Sequence, residues 1–253
     1  FAPDDARQRF TGWLEDLAPE QREAIEGICA TYPLTRTIFE SIAEASPYLF
    51  DLMRADPARS VRLLTCDPDQ HITKLLSDVC AGVAAASDEA TVMRLLRRMK
   101  GEAALLIALC DIGDVWPVMR ITAALTDVAV TAVHCSVRYL LAQEAARGRI
   151  VPPDPDLPEQ GSGLIIFAMG KMGAGELNYS SDVDLIVFYE TEGTSLNPDI
   201  EPQPFFVRIA QGMARLMQQR TGDGYVFRVD MRLRPDPAST PVAVSAASAL
   251  GYY

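Results

Sequence analysis

The second half of the chain is a succession of apolar runs separated by turn-forming residues, which predicts strands alternating with helices. The runs LIIF and LIVF are apolar at every position, and this favours strands whose two faces are both covered by helices. Between them, a glycine-rich turn and a short helix are predicted from Gly170 to Tyr179. Apolar spacings of three and four predict an amphipathic helix around Phe206 to Met217. From Tyr225 to Leu233 apolar and polar residues alternate, which predicts a strand. A short further strand is predicted at 241–244.

The first half of the chain has the spacing of helices throughout. The spacing is clearest at 92–110 and 125–141, and each stretch predicts a long helix with one apolar stripe. Ser87 and Asp114 are the N-caps predicted for these two helices, and Gly148 is predicted to end the second. The sequence of this half has no repeat of fixed period, so the pattern favours a helical bundle or array.

Together the two halves predict an α+β fold, in which a helical N-terminal region is followed by a mixed sheet flanked by helices. The segment from Gly148 to Ser162 carries four prolines and no apolar period, as a linker or a long surface connection does. We therefore predict a helical domain at 1–150, a Pro-rich linker at 151–162 and a second domain at 163–253. The last residues resemble the start of another helix, so we expect the sequence to be a fragment.

The charge balance and the cysteines narrow the range of functions. The 23 basic and 34 acidic residues give a net charge of −11, and such a surface repels the phosphate backbone of nucleic acids. No uninterrupted apolar run approaches the roughly 20 residues of a membrane span, and the N-terminus is not that of a signal peptide. Five widely spaced cysteines in helical patterns predict buried free thiols, not a disulfide or zinc framework. These features predict a cytoplasmic protein that binds neither nucleic acid nor a membrane.

Three carboxylates in the second half are the strongest candidates for chemistry. Asp182 and Asp184 open a predicted strand, and residues two apart on a strand point to the same face. Asp230 is a third carboxylate, on a later predicted strand and flanked by arginines. Carboxylates at the mouth of a sheet suit a hard divalent cation such as Mg²⁺. The alternatives are structural: Asp182 could cap a turn, and Asp230 could pair with Arg228 or Arg232.

The same stretch carries a family resemblance. A Gly170-Lys171 turn after a strand, the sequence SDVD opening the next strand at 181–184, and the distant Asp230 resemble the signature of the nucleotidyltransferase superfamily. More closely, GLIIFAMGKMGAGELNYSSDVDLIVFYE and YVFRVDMRLRP resemble the glutamine synthetase adenylyltransferase/adenylyl-removing enzyme family. Lys171 departs from the Gly or Ser of the superfamily but matches this family. The family has two nucleotidyltransferase domains in tandem. These motif sequences resemble the N-terminal domain, which removes AMP.

The resemblance and the residues together imply a site for adenylyl chemistry. The metal ligands and catalytic carboxylates would be Asp182, Asp184 and Asp230, holding two Mg²⁺ ions, with Mn²⁺ as the alternative. The residues expected to hold the phosphate groups of ADP, ATP or inorganic phosphate are Gly170, Lys171, Ser181, Arg232 and Arg234. The role of Arg234 stays open here, because a solvated loop charge would look the same in the sequence.

The function that the resemblance implies is phosphorolytic removal of AMP from adenylyl-tyrosine on glutamine synthetase, giving tyrosine and ADP, which would regulate nitrogen assimilation. Two alternatives remain at this stage. One is adenylylation of a protein tyrosine from ATP, and the other is a non-catalytic regulatory module. The implied partners are glutamine synthetase and a small trimeric signalling protein of the PII type, with 2-oxoglutarate or glutamine as the signal.

Overall fold

A computed structural model describes residues 3–234 and 236–252, so Phe1, Ala2, Pro235 and Tyr253 lie outside the described residues. The chain forms two compact units: Phe1–Leu75 with Gly101–Ile121, and Leu76–Lys100 with Thr122–Tyr253. The described residues are mostly helical and include a small mixed sheet of four strands, so the predicted α+β class is confirmed. The domain boundaries at 150 and 162 stay predictions.

The helices of the first half follow the predicted pattern closely. Helices α2 to α5 each have a proline in the first turn, where the missing N–H costs no hydrogen bond. The core of the first unit contains a cluster of aromatic rings, in which the Phe10 centroid lies 5.8 Å from those of Trp13 and Phe39. The helices are α1 (Pro3–Glu15), α2 (Pro19–Thr31), α3 (Pro33–Ala45), α4 (Pro47–Ala55), α5 (Pro57–Thr65), α6 (Pro68–Ala84), α7 (Glu89–Ile112) and α8 (Val118–Ala146).

The N-caps predicted for the two long helices are wrong. The carboxylate of Asp88, not Ser87, accepts the N–H of Thr91 at 2.8 Å and caps α7, because the aspartate is the residue directly before the helix. Asp114 has a φ of 54° and lies in the turn between α7 and α8, four residues before α8 begins. The predicted end of α8 is confirmed, since Gly148 takes a left-handed φ of 69° just after the helix.

Helix α8 is long and apolar enough to cross a membrane by length and composition alone. Half of its most apolar stretch is buried inside the protein itself, as in the core helix of a soluble protein. Its apolar character is therefore weak evidence for a membrane span.

The sheet is built around one central strand. Strand β2 pairs antiparallel with β1 along one edge, and along the other edge it pairs parallel with β3 at its start and with β4 at its end. The elements of this part are β1 (Leu164–Ala168), α9 (Gly170–Gly173), β2 (Val183–Tyr189), α10 (Pro202–Gln218), β3 (Val229–Asp230), β4 (Ala243–Ser245) and α11 (Ala246–Tyr252).

The two faces of the sheet differ in their cover. On one face the ring of Tyr189 stacks on Phe206 of α10 at 4.8 Å, and Leu185 and Val187 are fully buried. On the other face Phe167 of β1 is 51% exposed. The prediction that both faces are covered therefore holds for most of β2 and is wrong for β1, which is an edge strand with one open face.

The strand predicted from Tyr225 to Leu233 is mostly absent, because only Val229 and Asp230 are in β3. The consecutive residues Val226 and Phe227 are both buried, which breaks the predicted alternation. Their backbone N–H groups donate to the carbonyl of Met217 at the end of α10, at 2.8 and 3.3 Å, and not to a neighbouring strand. A contact distant in sequence thus overrides the local pattern.

Arg97 fastens α7 to the segment that leads into β3. Its side chain is almost completely buried, with 2% exposure. The guanidinium donates to the carbonyls of Leu216 at 3.1 Å and Gly224 at 2.9 Å, and also to those of Met93 and Gln219. These bonds satisfy carbonyls at the end of α10 and in the following turn, where a helix leaves its last acceptors without partners.

Lys100 is a cation in an apolar setting, and this predicts a pH-dependent stability. Its ammonium nitrogen lies 4.3 Å from the centroid of the Phe227 ring. Desolvation lowers its pKa from 10.5 to about 8. Below the lower value both the folded and the unfolded chain are protonated, so folding carries the full desolvation cost. That cost is removed as the pH rises from about 8 to about 10.5, because the folded state releases its proton first.

We expect Lys100→Met to raise the free energy of unfolding at neutral pH by about 1–3 kcal/mol, since methionine keeps the packing and removes the buried charge. The gain should shrink towards pH 10, where the wild-type lysine is largely neutral in the folded state. Urea unfolding at both pH values measures the difference. Lys171→Met, at an exposed lysine, is the matched control and should change neither value. A Lys100→Met variant less stable than wild type at neutral pH would contradict this expectation.

Candidate functional site

Two of the predicted carboxylates are direct neighbours across the sheet. In the parallel pair of β2 and β3, Asp184 is in register with Asp230, and Val183 with Val229. Residues in register on neighbouring strands project from the same face, so the two aspartates share the face that carries Phe167. The N–H of Val183 donates to the carbonyl of Arg228 at 2.9 Å, which fixes this register.

Asp182 lies directly before β2, two residues from Asp184, and is the most exposed of the three, with 42% of its side chain accessible. Its carboxylate accepts a 2.5 Å hydrogen bond from Nε of Arg228. A second nitrogen of Arg228 donates to the carbonyl of Ser180 at 3.3 Å. Arg228 therefore holds Asp182 and the loop before β2 together.

The three carboxylates are electrostatically coupled. Burial raises the pKa of Asp184, and the charges of Asp230 and Asp182 raise it further. Hydrogen bonds from the side chain and the backbone of Arg232 lower the pKa of Asp230. Asp184 is thus the member whose negative charge is least compensated by the protein, and a nearby cation would stabilise it.

Gly170 makes room for Asp184. It has a φ of 54°, a conformation that side chains with a Cβ rarely adopt. A Cβ at this position would lie 2.8 Å from Oδ2 of Asp184, closer than real Cβ atoms come. The preceding N–H, that of Met169, donates to the carbonyl of Asp184 at 2.8 Å and joins the end of β1 to the start of β2. The glycine is therefore required by the close approach of the turn to the carboxylate.

The other predicted phosphate-binding residues next to this turn are in different situations. Lys171 is exposed on α9. The hydroxyl of Ser181 donates to the side chain of Asn178 at 2.7 Å, within the loop before Asp182. Contact of Ser181 with a ligand would therefore require it to exchange this partner.

The two predicted arginines also differ. Arg232 pairs with Asp230 through its guanidinium, with a shortest distance of 2.5 Å, while 82% of its side chain remains exposed. Arg234 instead donates to three backbone carbonyls of its own loop, those of Met231, Pro237 and Thr240. In this structure Arg234 fixes the loop, which is a structural role that the sequence left open.

An aromatic surface beside the carboxylates was not found by sequence reasoning. The rings of Phe167 and Phe188 meet edge to face at 5.9 Å on the face that carries Asp184. Phe167 is in register with Ile186, which makes it a diagonal neighbour of Asp184, within reach of an aromatic side chain. In the sequence LIIF nothing distinguishes an exposed phenylalanine from a core residue. The signal would have been the position of β1 at the edge of the sheet.

Comparison with known proteins decides the family. The sequence profile of the glutamate-ammonia ligase adenylyltransferase family matches residues 37–253. The chain belongs to this family. Over its whole length it is 65% identical to the bifunctional glutamine synthetase adenylyltransferase/adenylyl-removing enzyme of Rhodopseudomonas palustris, and it covers 26% of that protein. The proteins of the same name from Bradyrhizobium diazoefficiens and Xanthobacter autotrophicus are 65% and 51% identical, over 97% and 94% of this chain and 25% and 24% of theirs. The chain thus spans about a quarter of the length of these curated relatives.

In this adenylyltransferase-family chain, the carboxylates are near one another but are not gathered around one point. Within residues 3–234 and 236–252, no three His, Cys, Asp or Glu side chains are grouped closely enough to hold a metal ion. The physical reason is that Asp182 and Asp230 turn to Arg228 and Arg232. The donor set nevertheless fits Mg²⁺, because it consists of carboxylate oxygens and one of its members has a raised pKa.

This chain also has a cavity of about 410 Å³, which lies against α8 on the face of the sheet opposite to Asp184. None of the predicted site residues lines it. Its lining is mostly apolar and includes Val133, Val137, Leu164, Ile166 and Leu185. The predicted site residues therefore lie outside this cavity.

Proposed function

We propose that this chain is the adenylyl-removing part of a longer bifunctional enzyme, acting in the cytoplasm on glutamine synthetase. It would cleave adenylyl-tyrosine with inorganic phosphate to give tyrosine and ADP. The proposal rests mainly on the in-register pair of Asp184 and Asp230, with Asp182 two residues away, in a member of this family. The motif sequences resemble those of the adenylyl-removing domain, and this favours removal over addition of AMP.

The bonds of this reaction balance without a further reactant. An oxygen of inorganic phosphate forms a bond to the adenylyl phosphorus, and the bond from that phosphorus to the tyrosine oxygen breaks. The proton released by the phosphate ends on the phenol. Negative charge accumulates around the phosphorus during transfer, so groups that neutralise charge and fix positions would provide most of the catalysis.

The acidic residues would hold the metal. Asp182, Asp184 and Asp230 are the proposed ligands, and Asp182 and Asp230 would exchange their arginine partners for the cation. Bound Mg²⁺, or Mn²⁺, would neutralise phosphate oxygens and hold the nucleophile in line with the leaving group. Because all three ligands are carboxylates, they would also favour a hard cation over zinc.

The basic residues would hold the anions. Lys171 is exposed and follows Gly170, which lies against Asp184, and the exposed Arg232 pairs with Asp230. Both are therefore the proposed partners of the attacking phosphate. The backbone N–H groups of Gly170 and Lys171 open α9, and the first N–H groups of a helix have no partner within it. Arg234 would act indirectly, by holding the loop that follows Asp230.

The aromatic surface at Phe167 would bind the adenine. Stacking of a base on an aromatic side chain contributes about 1–3 kcal/mol, so Phe167→Ala is expected to weaken binding of Mg·ADP by about 5- to 150-fold. Phe167→Trp should retain the affinity. Isothermal titration calorimetry measures both affinities. Mg·pyrophosphate, which lacks a base, is the control ligand and should bind with equal affinity to the wild type and to both variants. An equal loss for ADP and pyrophosphate would show a general disturbance of the site and contradict stacking.

A labelling experiment tests the reaction. The protein is incubated with adenylylated glutamine synthetase, Mg²⁺ and ³²P-labelled inorganic phosphate, and the nucleotides are separated. We expect label in the β-phosphate of ADP and loss of AMP from glutamine synthetase. Label transferred from α-³²P-ATP to glutamine synthetase, without labelled ADP in the first assay, would favour the adenylylating reaction instead. No transfer in either direction would favour a non-catalytic module.

Regulation through a PII-type signalling protein stays a prediction from the family resemblance. Repeating the labelling experiment with such a protein present or absent tests it directly. A change in the rate of ADP formation is expected if the adenylyl-removing part responds to that partner.

A further inference from the structure

Two cysteines of the second unit lie in contact although they are 55 residues apart in sequence. The Sγ atoms of Cys80 on α6 and Cys135 on α8 are 3.1 Å apart, at hydrogen-bonding distance between thiols. Both are free thiols. A disulfide requires about 2.05 Å between the sulfurs, so the two atoms need to approach by only about 1 Å.

The two thiols differ in access. Cys80 is half-buried, whereas Cys135 is buried, with 3% exposure. A small oxidant in solution therefore reaches Cys80 first, and Cys135 is the thiol next to it in the interior. This is the arrangement of a reacting cysteine with a resolving cysteine.

The charges around the pair favour reaction at Cys80. Its pKa is lowered to about 7, chiefly by the hydrogen bond with Cys135 and also by the charge of Arg138. The same hydrogen bond and burial raise the pKa of Cys135. The thiolate is the reactive form of a cysteine, so at neutral pH a large fraction of Cys80 is reactive while Cys135 keeps its proton.

The other three cysteines provide an internal comparison. Burial raises the pKa of Cys29, Cys66 and Cys110, in the last case to about 11. Their thiols are therefore less reactive at neutral pH than the thiol of Cys80. Cys66 is the best matched of them, because it is also half-buried.

We propose that Cys80 and Cys135 form a peroxide-reactive dithiol, an oxidative modification site distinct from the aspartate site. The Cys80 thiolate attacks one oxygen of a hydroperoxide, the O–O bond breaks, and Cys80 becomes a sulfenic acid with release of hydroxide or alkoxide. The Cys135 thiol then displaces that oxygen as water and forms the Cys80–Cys135 disulfide. The peroxide is reduced by two electrons and the two thiols are oxidised. A small dithiol reductant restores both.

The disulfide would connect α6 to α8 within the second unit. Arg138 lies one turn after Cys135 and forms an ion pair with Glu159, in the segment that leads into β1. Oxidation removes the thiolate charge of Cys80, which interacts electrostatically with Arg138, so this ion pair is the first neighbouring contact expected to respond. Oxidation of the cysteine pair would thus alter the contact between α8 and the segment before the sheet.

The test is peptide mapping after oxidation. The reduced protein is treated with one equivalent of hydrogen peroxide at neutral pH, remaining thiols are blocked with iodoacetamide, and peptides are analysed without reduction by mass spectrometry. We expect a crosslinked peptide pair containing Cys80 and Cys135. We also expect Cys80 to be lost about tenfold faster than Cys66, from the larger thiolate fraction less the lower nucleophilicity of a more acidic thiol.

Two variants separate the roles of the pair. In Cys135→Ser the sulfenic acid of Cys80 should persist and react with dimedone, and in Cys80→Ser the crosslink should disappear. Cys66→Ser is the matched control and should still form the crosslink. Over-oxidation of wild-type Cys80 while Cys135 stays reduced would overturn the proposal, as would a Cys80 that reacts no faster than Cys66. The wild-type map decides even where a variant fails to fold.

Discussion

Asp184→Asn is expected to lower the rate of phosphorolysis by about a hundred- to a thousandfold, the cost of removing one group that stabilises charge in a transition state. The amide keeps the shape of the side chain but removes the negative charge between Asp182 and Asp230. Burial and these two neighbours raise the pKa of Asp184, so its charge opposes folding in the absence of a cation. The variant should therefore lose activity without losing stability.

Labelled ADP formation measures the activity, and urea unfolding measures the stability of the same preparations. Asp199→Asn is the matched control, since Asp199 is an exposed aspartate in the loop between β2 and α10. It should leave both quantities unchanged. An Asp184→Asn protein that retains more than a tenth of the wild-type rate would exclude Asp184 from the catalytic set.

Arg97→Met is expected to lower the free energy of unfolding by about 1–3 kcal/mol, because it leaves the buried carbonyl of Leu216 without its side-chain donor. Arg97 donates to carbonyls at the end of α10 and in the turn at Gly224, and methionine fills the volume but cannot donate. Because this segment leads directly into β3, the position of Asp230 depends on the same contacts. The variant should therefore also be slower in phosphorolysis.

Urea unfolding of Arg97→Met and of Arg98→Met separates the two effects of removing an arginine. Arg98 is the next residue on α7 and is exposed, so its replacement removes the same charge without uncovering buried acceptors. We expect less than about 0.5 kcal/mol for the Arg98 variant. Similar losses for both variants would mean that net charge, and not the buried hydrogen bonds, accounts for the role of Arg97.

The helices could be predicted from the sequence because their signals are local. Prolines mark the first turns of α2 to α5, and the apolar stripes at 92–110 and 125–141 lie within α7 and α8. The strand predicted at 225–233 failed because the N–H groups of Val226 and Phe227 bind a carbonyl of α10. That contact joins residues nine and ten positions apart, and no periodicity within the strand records it.

The candidate site divides in the same way. That Asp182 and Asp184 share a face follows from the two-residue period of a strand. The strand period does not predict that Asp230 lies beside them, since this position depends on a two-residue pairing between strands 46 residues apart. The family motif supplied what the pattern lacked. The exposed Phe167 and the contact between Cys80 and Cys135 had no local signal, because both depend on how distant elements pack.

For the proposed metal site, the arginine partners of Asp182 and Asp230 would set the order of folding and metal binding. Two of the three acids already have an internal counter-ion, so the strands that bear them can assemble on a newly synthesised chain before any divalent ion arrives. A zinc finger, in contrast, cannot fold without its metal. In this protein the sheet would be complete first, and magnesium would enter a finished scaffold.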